Sequence, residues 1–246
     1  IFDSFSPGRS LWWRDGRWGK ALGGRLPPLR CKNEALGKYS EKISRKGNFK
    51  YKKEENQWQK FSESTYPEML IALAKLHQEE CQGVIIDLRG NTGGYMGPAI
   101  QMVNEFLPKG QLIVYTEGRK APRENYPSNG TGSSQQLPII VLIDEGSASA
   151  SEIFAGAIQD NDRGVIVGRR SFGKGLVQEP VNFTDGSGIR ITVARFYTPS
   201  GRCIQKPYNK GKDENYELDI LTRYEHGEFF SQDSIKQDES HIYYTS

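Results

Sequence analysis

Three serines, Ser147, Ser149 and Ser151, sit where an apolar run gives way to a small-residue turn and then to a helical pattern. Residues 138–143 read Pro-Ile-Ile-Val-Leu-Ile and the turn reads Asp-Glu-Gly-Ser-Ala-Ser. Ala150, Ile153, Phe154, Ala157 and Ile158 then repeat at helical spacing. A helix N-terminus offers free backbone N–H groups and a partial positive charge, both suited to holding an oxyanion. A serine placed there can attack a carbonyl carbon if a base takes its proton. The same residues have a plainer use. Ser149 and Glu152 stand at capping-box spacing, in which hydroxyl and carboxylate satisfy helix N–H groups, and N-cap serines far outnumber nucleophilic ones.

A nucleophilic serine needs a base. The histidines are His77, in a polar stretch, and His226 and His241, in the acidic end of the chain. Nothing ties them to this turn. Lysine can serve when burial favours its neutral form. Lys174 is the candidate: Gly173 and Gly175 flank it, bring the backbone close and leave its side chain free to point inward. Taken alone, a lysine in a loop is usually solvated. The run from Gly168 to Lys174 also nearly spells a phosphate-binding loop, but Gly175 stands where a Ser or Thr would hold Mg²⁺. The strand-like residues that follow offer no helix N-terminus to a phosphate.

The elements that must position these residues can be read from periodicity. Residues 63–79 predict a helix with Met69, Leu70, Leu73 and Leu76 on one face. Residues 84–88 read as a buried strand running into the glycine-rich turn 90–94. Residues 98–107 predict a second helix carrying Ile100, Val103, Phe106 and Leu107, and residues 112–116 another strand. A polar loop fills 117–136. Residues 164–167 predict a strand, and 177–183 with 188–197 a hairpin around Thr184-Asp185-Gly186-Ser187. Weak helical signals appear near 214–223. Strands alternating with helices from 63 to 168 predict an α/β fold with parallel pairing. The helical wheel places Ser151 away from the apolar stripe, toward solvent.

Composition sets outer bounds. The chain has 246 residues, of which 36% are hydrophobic. Residues 1–60 hold 15 Lys and Arg against 6 Asp and Glu, whereas the remainder holds 18 against 24. A basic, Trp-containing opening raises nucleic-acid binding as a reading, but charge runs are usually solvated faces. Cys31, Cys81 and Cys203 form no metal-binding spacing. No apolar stretch approaches the roughly 18 residues of a membrane span.

Three runs carry a family resemblance: Asp87-Leu88-Arg89-Gly90-Asn91-x-Gly93-Gly94, Gly146-Ser147-Ala148-Ser149-Ala150-Ser151-Glu152-Ile153, and Ser171-Phe172-Gly173-Lys174-Gly175-x-Val177-Gln178. In order and spacing they resemble the C-terminal processing peptidases, or tail-specific proteases, over about residues 58–208. The resemblance implies Ser149 as nucleophile, Lys174 as general base and Gln178 as the residue holding the lysine. It implies an oxyanion hole from the N–H of Ala150 and that of Gly93 or Gly94, and it requires no metal or cofactor. The implied fold is α/β, a core of strand–strand–helix units similar to the crotonase and caseinolytic-protease folds. Asp87 and Arg89 read as a structural pair at the strand end.

The resemblance further implies a protein or peptide substrate, unstructured or C-terminal in character. It also implies a bacterial envelope or periplasmic setting, with a membrane-peripheral position compatible. No nucleic-acid partner is expected, since the basic run reads as a solvated one. Three segments are expected. Residues 1–56 are basic and Trp-rich, with no recognisable PDZ domain, and read as disordered, truncated or non-native sequence. Residues 57–208 form the catalytic core, and 209–246 a truncated polar C-terminal extension. Two other functions compete: a binding module keeping the fold without catalysis, and a crotonase-like acyl-thioester enzyme, in which a Ser–Lys pair would have no use.

Overall fold

The computed structural model describes residues 60–81, 83–207, 216, 218–230, 234 and 243–245, and the backbone of four short strands nearer the start. Those four form two antiparallel pairs, Trp13–Arg14 with Arg17–Trp18 and Tyr39–Lys42 with Lys50–Lys53. The rest of the expectation for residues 1–56 lies outside the described residues.

The core contains a three-stranded parallel sheet. Its strands are β1 (Val84–Asp87), β4 (Ile139–Ile143) and β5 (Val165–Gly168), with β4 in the centre. Register runs from Val84 opposite Ile139 to Asp87 opposite Leu142, and from Ile140 opposite Val165 to Ile143 opposite Gly168. All three strands therefore end at one edge. There the chain leaves β1 into residues 88–95, β4 into 144–149 and β5 into 169–175. Ligand sites of parallel sheets form at such carboxyl edges.

Helix α1 (Thr65–Gln78) buries Met69, Ala72, Leu73 and Leu76. Leu70, expected on that face, is 37% exposed, and Ala72 takes its place. Helix α2 (Met96–Asn104) stops before Phe106 and Leu107, which nonetheless stay buried in the turn that follows. Pro108, which cannot donate a helical hydrogen bond, and Gly110 bar continuation. Helix α3 (Ala150–Asp160) is buried on nearly every side. Phe154 on α3 meets Phe106 edge to face, with ring centroids 6.2 Å apart. Burying such a ring contributes about 2–3 kcal/mol, so truncation at Phe154 would cost several kcal/mol.

Residues 112–116 do not join the parallel sheet. They lie in β2 (Leu112–Glu117), part of an antiparallel sheet with β3 (Glu124–Pro127), β6 (Leu176–Asn182) and β7 (Gly188–Tyr197), in the order β6-β7-β2-β3. Strand β3 occupies part of the stretch expected to be loop. It is short, polar and at the sheet edge, where one face needs no apolar residues. The Arg123 guanidinium lies 3.7 Å from the Tyr115 ring centroid, and that ring stacks on Tyr197 at 4.8 Å. Beyond the hairpin, helix α4 (Asp219–Glu225) accounts for the weak helical signal there.

Tyr66 on α1 donates its hydroxyl to Glu105 Oε1 at 2.8 Å. Burial and then this carboxylate push its phenol up to about 12. The folded value lies above the unfolded one. Stability linked to Tyr66 is therefore complete below about pH 10 and lost as pH climbs toward 12. In an ultraviolet titration of the native chain, Tyr66→Phe should remove phenolate absorbance from the top of the curve. Unchanged absorbance there would contradict the contact.

Candidate active site

The turn after β4 carries Ser149 in an unusual backbone conformation, φ 55° and ψ −112°. Positive φ at a non-glycine residue stores about 1–3 kcal/mol and persists only where its surroundings enforce it. The enforcing bonds are identifiable. Ser147 N–H donates to Asp144 O at 3.0 Å, and Ala148 N–H to Asn91 O at 3.0 Å. Ser147 Oγ donates to Leu88 O at 2.7 Å, and Ser151 Oγ to Asn91 O at 2.9 Å. Both flanking serines are fully buried. The expectation that Ser151 faces solvent is thus wrong: α3 is enclosed on its polar side by residues 88–94, which a wheel drawn from one helix does not contain. The two hydroxyls fasten that glycine-rich loop to the turn.

The loop is fixed at its start by Asp87 and Arg89, the strand-end pair read from the sequence. The Asp87 side chain is buried and accepts Arg89 Nε at 2.9 Å and NH2 at 2.6 Å. Asn91 Oδ1 accepts Gly93 N–H at 2.9 Å. Gly93 has φ +90°, and a Cβ there would lie 2.5 Å from Ala148 O and 2.8 Å from Ala150 N. Only glycine lets this loop press against the first turn of α3. Ala150 is buried at that first turn, and Gly94, beside it in the loop, is exposed.

Glu152 is the hub. Its side chain is buried, and four donors converge on it. Oε1 accepts Ser171 Oγ at 2.7 Å and Gly173 N–H at 2.7 Å. Oε2 accepts Ser149 N–H at 2.7 Å and Lys174 N–H at 2.9 Å. Burial pushes this carboxyl above the usual glutamate range, and the donors from Ser171, Lys174 and Ser149 pull against that. The capping-box glutamate of the sequence therefore does more than cap: one oxygen atom joins the main chains of Ser149 and Lys174. Nothing in the sequence signals that second half, because its partners lie about twenty residues on.

Residues 169–175 are tied to their surroundings along their length. Phe172 N–H donates to Ser147 O at 2.9 Å, Gly175 N–H to Gln205 Oε1 at 3.0 Å, and Lys206 N–H to Gly173 O at 2.9 Å. Gly173 has φ +86°, and the space a Cβ would need at Gly175 is filled by Gln205 N at 2.4 Å. The glycines do bring the backbone close, as expected. The lysine does not point inward: Lys174 is exposed, as is Gln178 on β6, while Ser149 is half-buried. His77 pairs with Ser134 Oγ at 3.2 Å, and His226 caps α4. His241 lies outside the described residues. Among the described residues, no three His, Cys, Asp or Glu side chains stand together as a metal site would require.

The chain is similar to known proteins. The model of peptidase family S41 matches residues 57–217. The carboxyl-terminal-processing protease of Synechocystis is 42% identical over 146 residues, 59% of this chain and 34% of that protein. The carboxy-terminal processing protease CtpB of Bacillus subtilis is 40% identical over 146 residues, 59% of this chain and 30% of its own length. Among solved structures, a photosystem II D1 C-terminal processing protease superposes with a TM-score of 0.56 at 36% identity, covering 59% of this chain and 38% of that one. The chain thus spans about a third of the length of the curated relatives it matches. The relatives so matched are processing proteases by name. The chain belongs to peptidase family S41.

Proposed function

We propose that this chain carries the catalytic core of an endopeptidase in which Ser149 is the nucleophile and Lys174 the general base. The observation that supports it most is the shared Glu152 oxygen, bonded to the amides of both residues. Neutral Lys174 takes the Ser149 hydroxyl proton as Oγ bonds to the peptide carbonyl carbon. The carbonyl oxygen becomes an oxyanion. The resulting ammonium protonates the leaving amine as the C–N bond breaks. Water, deprotonated by Lys174, then attacks the Ser149 ester and releases the new carboxyl end. Gln178, four residues beyond the lysine on β6, orients its amine.

Ala150 N–H at the start of α3 is one oxyanion donor. For the second we favour Gly94, because Gly93 already gives its N–H to Asn91 Oδ1. The exposed position of Lys174 assigns a task to the substrate. A polypeptide laid across the site removes water from around the amine. The proposed substrates are unstructured or C-terminal regions of proteins, in keeping with the relatives' names. The proposed setting is the bacterial envelope or periplasm. A second reading, a binding module without catalysis, draws on the exposure of Lys174 and Gln178.

Incubation with unfolded casein, before and after treatment with a phosphonofluoridate, separates the two. Cleavage should stop in proportion to a mass adduct on the peptide containing Ser149. Cleavage that survives complete modification would exclude Ser149 as nucleophile. A chain that binds casein and neither cuts nor labels would favour the binding module.

A further inference from the structure

Helix α4 and the turn after it lie beyond the residues that match the family model, which end at 217. They pack against the segment that presents Lys174. Arg223 is 3% exposed. Its NH2 donates to Arg170 O at 2.7 Å and its NH1 to Ser171 O at 3.3 Å. Glu228 turns back to hold the guanidinium, accepting Nε on Oε1 at 2.9 Å. The same carboxylate accepts Arg170 Nε at 3.0 Å and NH2 at 2.8 Å. The Phe229 ring centroid lies 5.6 Å from the Arg169 guanidinium and 5.5 Å from that of Arg223. A second anchor sits at the start of α4, where Lys206 Nζ meets Asp219 Oδ2 at 3.1 Å, and the Lys206 main chain holds Gly173.

The segment needs this support. Gly168, Gly173 and Gly175 give it backbone freedom, and Gly168 and Gly173 sit at φ +134° and +86°. A glycine-rich loop does not hold one conformation by its own torsions, so side chains from elsewhere must fix it. We propose that Arg223, held by Glu228, is a positioning residue for the base: it fixes the carbonyls of Arg170 and Ser171 and so the register of Gly173 and Lys174 on Glu152. This rests on the reading of Ser149 and Lys174 as nucleophile and base. The buried guanidinium matches the two carbonyls and the carboxylate with its planar fork, a geometry that lysine reproduces only in part.

The test compares the full chain with its Arg223→Met and Arg223→Lys variants. Amide hydrogen exchange needs no activity. In Arg223→Met the amides of Gly173, Lys174 and Gly175 should exchange about tenfold faster, the effect of losing one good hydrogen bond. The amides of β1 and β4 should be unchanged, and Arg223→Lys should recover part of the protection. Equal acceleration in the sheet, or none at 173–175, overturns the proposal. The second readout is the rate of Ser149 labelling by a phosphonofluoridate from pH 6 to 10. Arg223→Met should slow it about tenfold and displace its rise with pH, again with partial recovery in Arg223→Lys. An unchanged rate and profile would leave Arg223 a structural residue. Should Arg223→Met fail to fold, Glu228→Gln loosens the guanidinium without removing it and carries the same expectations. Labelling that ignores Lys174→Ala would sink the Ser–Lys reading while leaving the exchange result to judge the clamp.

Discussion

Ser149→Ala should lower casein cleavage by roughly 10⁴- to 10⁶-fold, Lys174→Ala by a similar factor, and the double variant by no more than the worse of the two. Groups that act as one unit lose their whole effect when either is removed. Lys174→Arg should not rescue, because a guanidinium stays charged and cannot accept the proton. The fold should be indifferent to the lysine, which is exposed, so its variants should unfold within a few degrees of the parent. Ser149 differs. At φ 55° it carries backbone strain, and Ser149→Gly should stabilise the chain by about 1 kcal/mol while abolishing hydrolysis. Urea unfolding beside the casein assay measures both. A Lys174→Ala variant with more than a few percent of parental activity would remove the lysine from the mechanism.

Glu152→Ala should cost about 3–5 kcal/mol of stability and remove activity as completely as loss of the nucleophile. Four donors would lose their acceptor, three of them main-chain amides. Buried N–H groups without partners are among the more costly defects in a protein interior. Glu152→Gln is the more informative change. Its one oxygen can keep two donors, while its amide nitrogen faces two others that it cannot accept. Stability should fall by about 1–3 kcal/mol. Activity should fall on the order of 10²-fold, with kcat falling more than KM, because the loss lies in placing Ser149 against Lys174. Ser171→Ala removes one donor and should be mild. Parental kcat in Glu152→Gln would show that the bridge is not needed for the chemistry.

Much of this was legible in the sequence because it depends on local pattern. The run ending at Ile143, the small-residue turn and the α3 periodicity each announce themselves within a few residues. So does the strand-end pair Asp87 and Arg89. What escaped depends on neighbours. The β2 pattern is apolar and suits either sheet; its place beside β7 is decided by packing. Ser151 reads as solvent-facing because a wheel knows only its own helix, whereas loop 88–94 covers that side. Two glycines around a lysine announce close backbone approach and say nothing of where the side chain ends, hence the exposed Lys174. Glu152 was visible as a cap, but its bonds to Gly173 and Lys174 join segments that share no periodicity. Arg223 and Glu228 stand in a polar stretch without any motif to recommend them.

The hydrogen bonds around Glu152 also differ from those of its neighbours in the length of chain they close. Its bonds to Ser171, Gly173 and Lys174 span 19, 21 and 22 residues, whereas those of Ser147 to Leu88 and Ser151 to Asn91 span 59 and 60. Closing the longer loops costs about 1 kcal/mol more chain entropy. During folding, the half of the site that joins Ser149 to Lys174 through Glu152 can therefore close first, as a unit of α3, β5 and the loop between β5 and β6. The glycine-rich loop docks afterwards. A nascent chain would then hold Ser149 and Lys174 together before the loop from β1 is in place. Since that loop holds Gly94, the proposed second oxyanion donor, such an intermediate would be sterically assembled yet chemically silent.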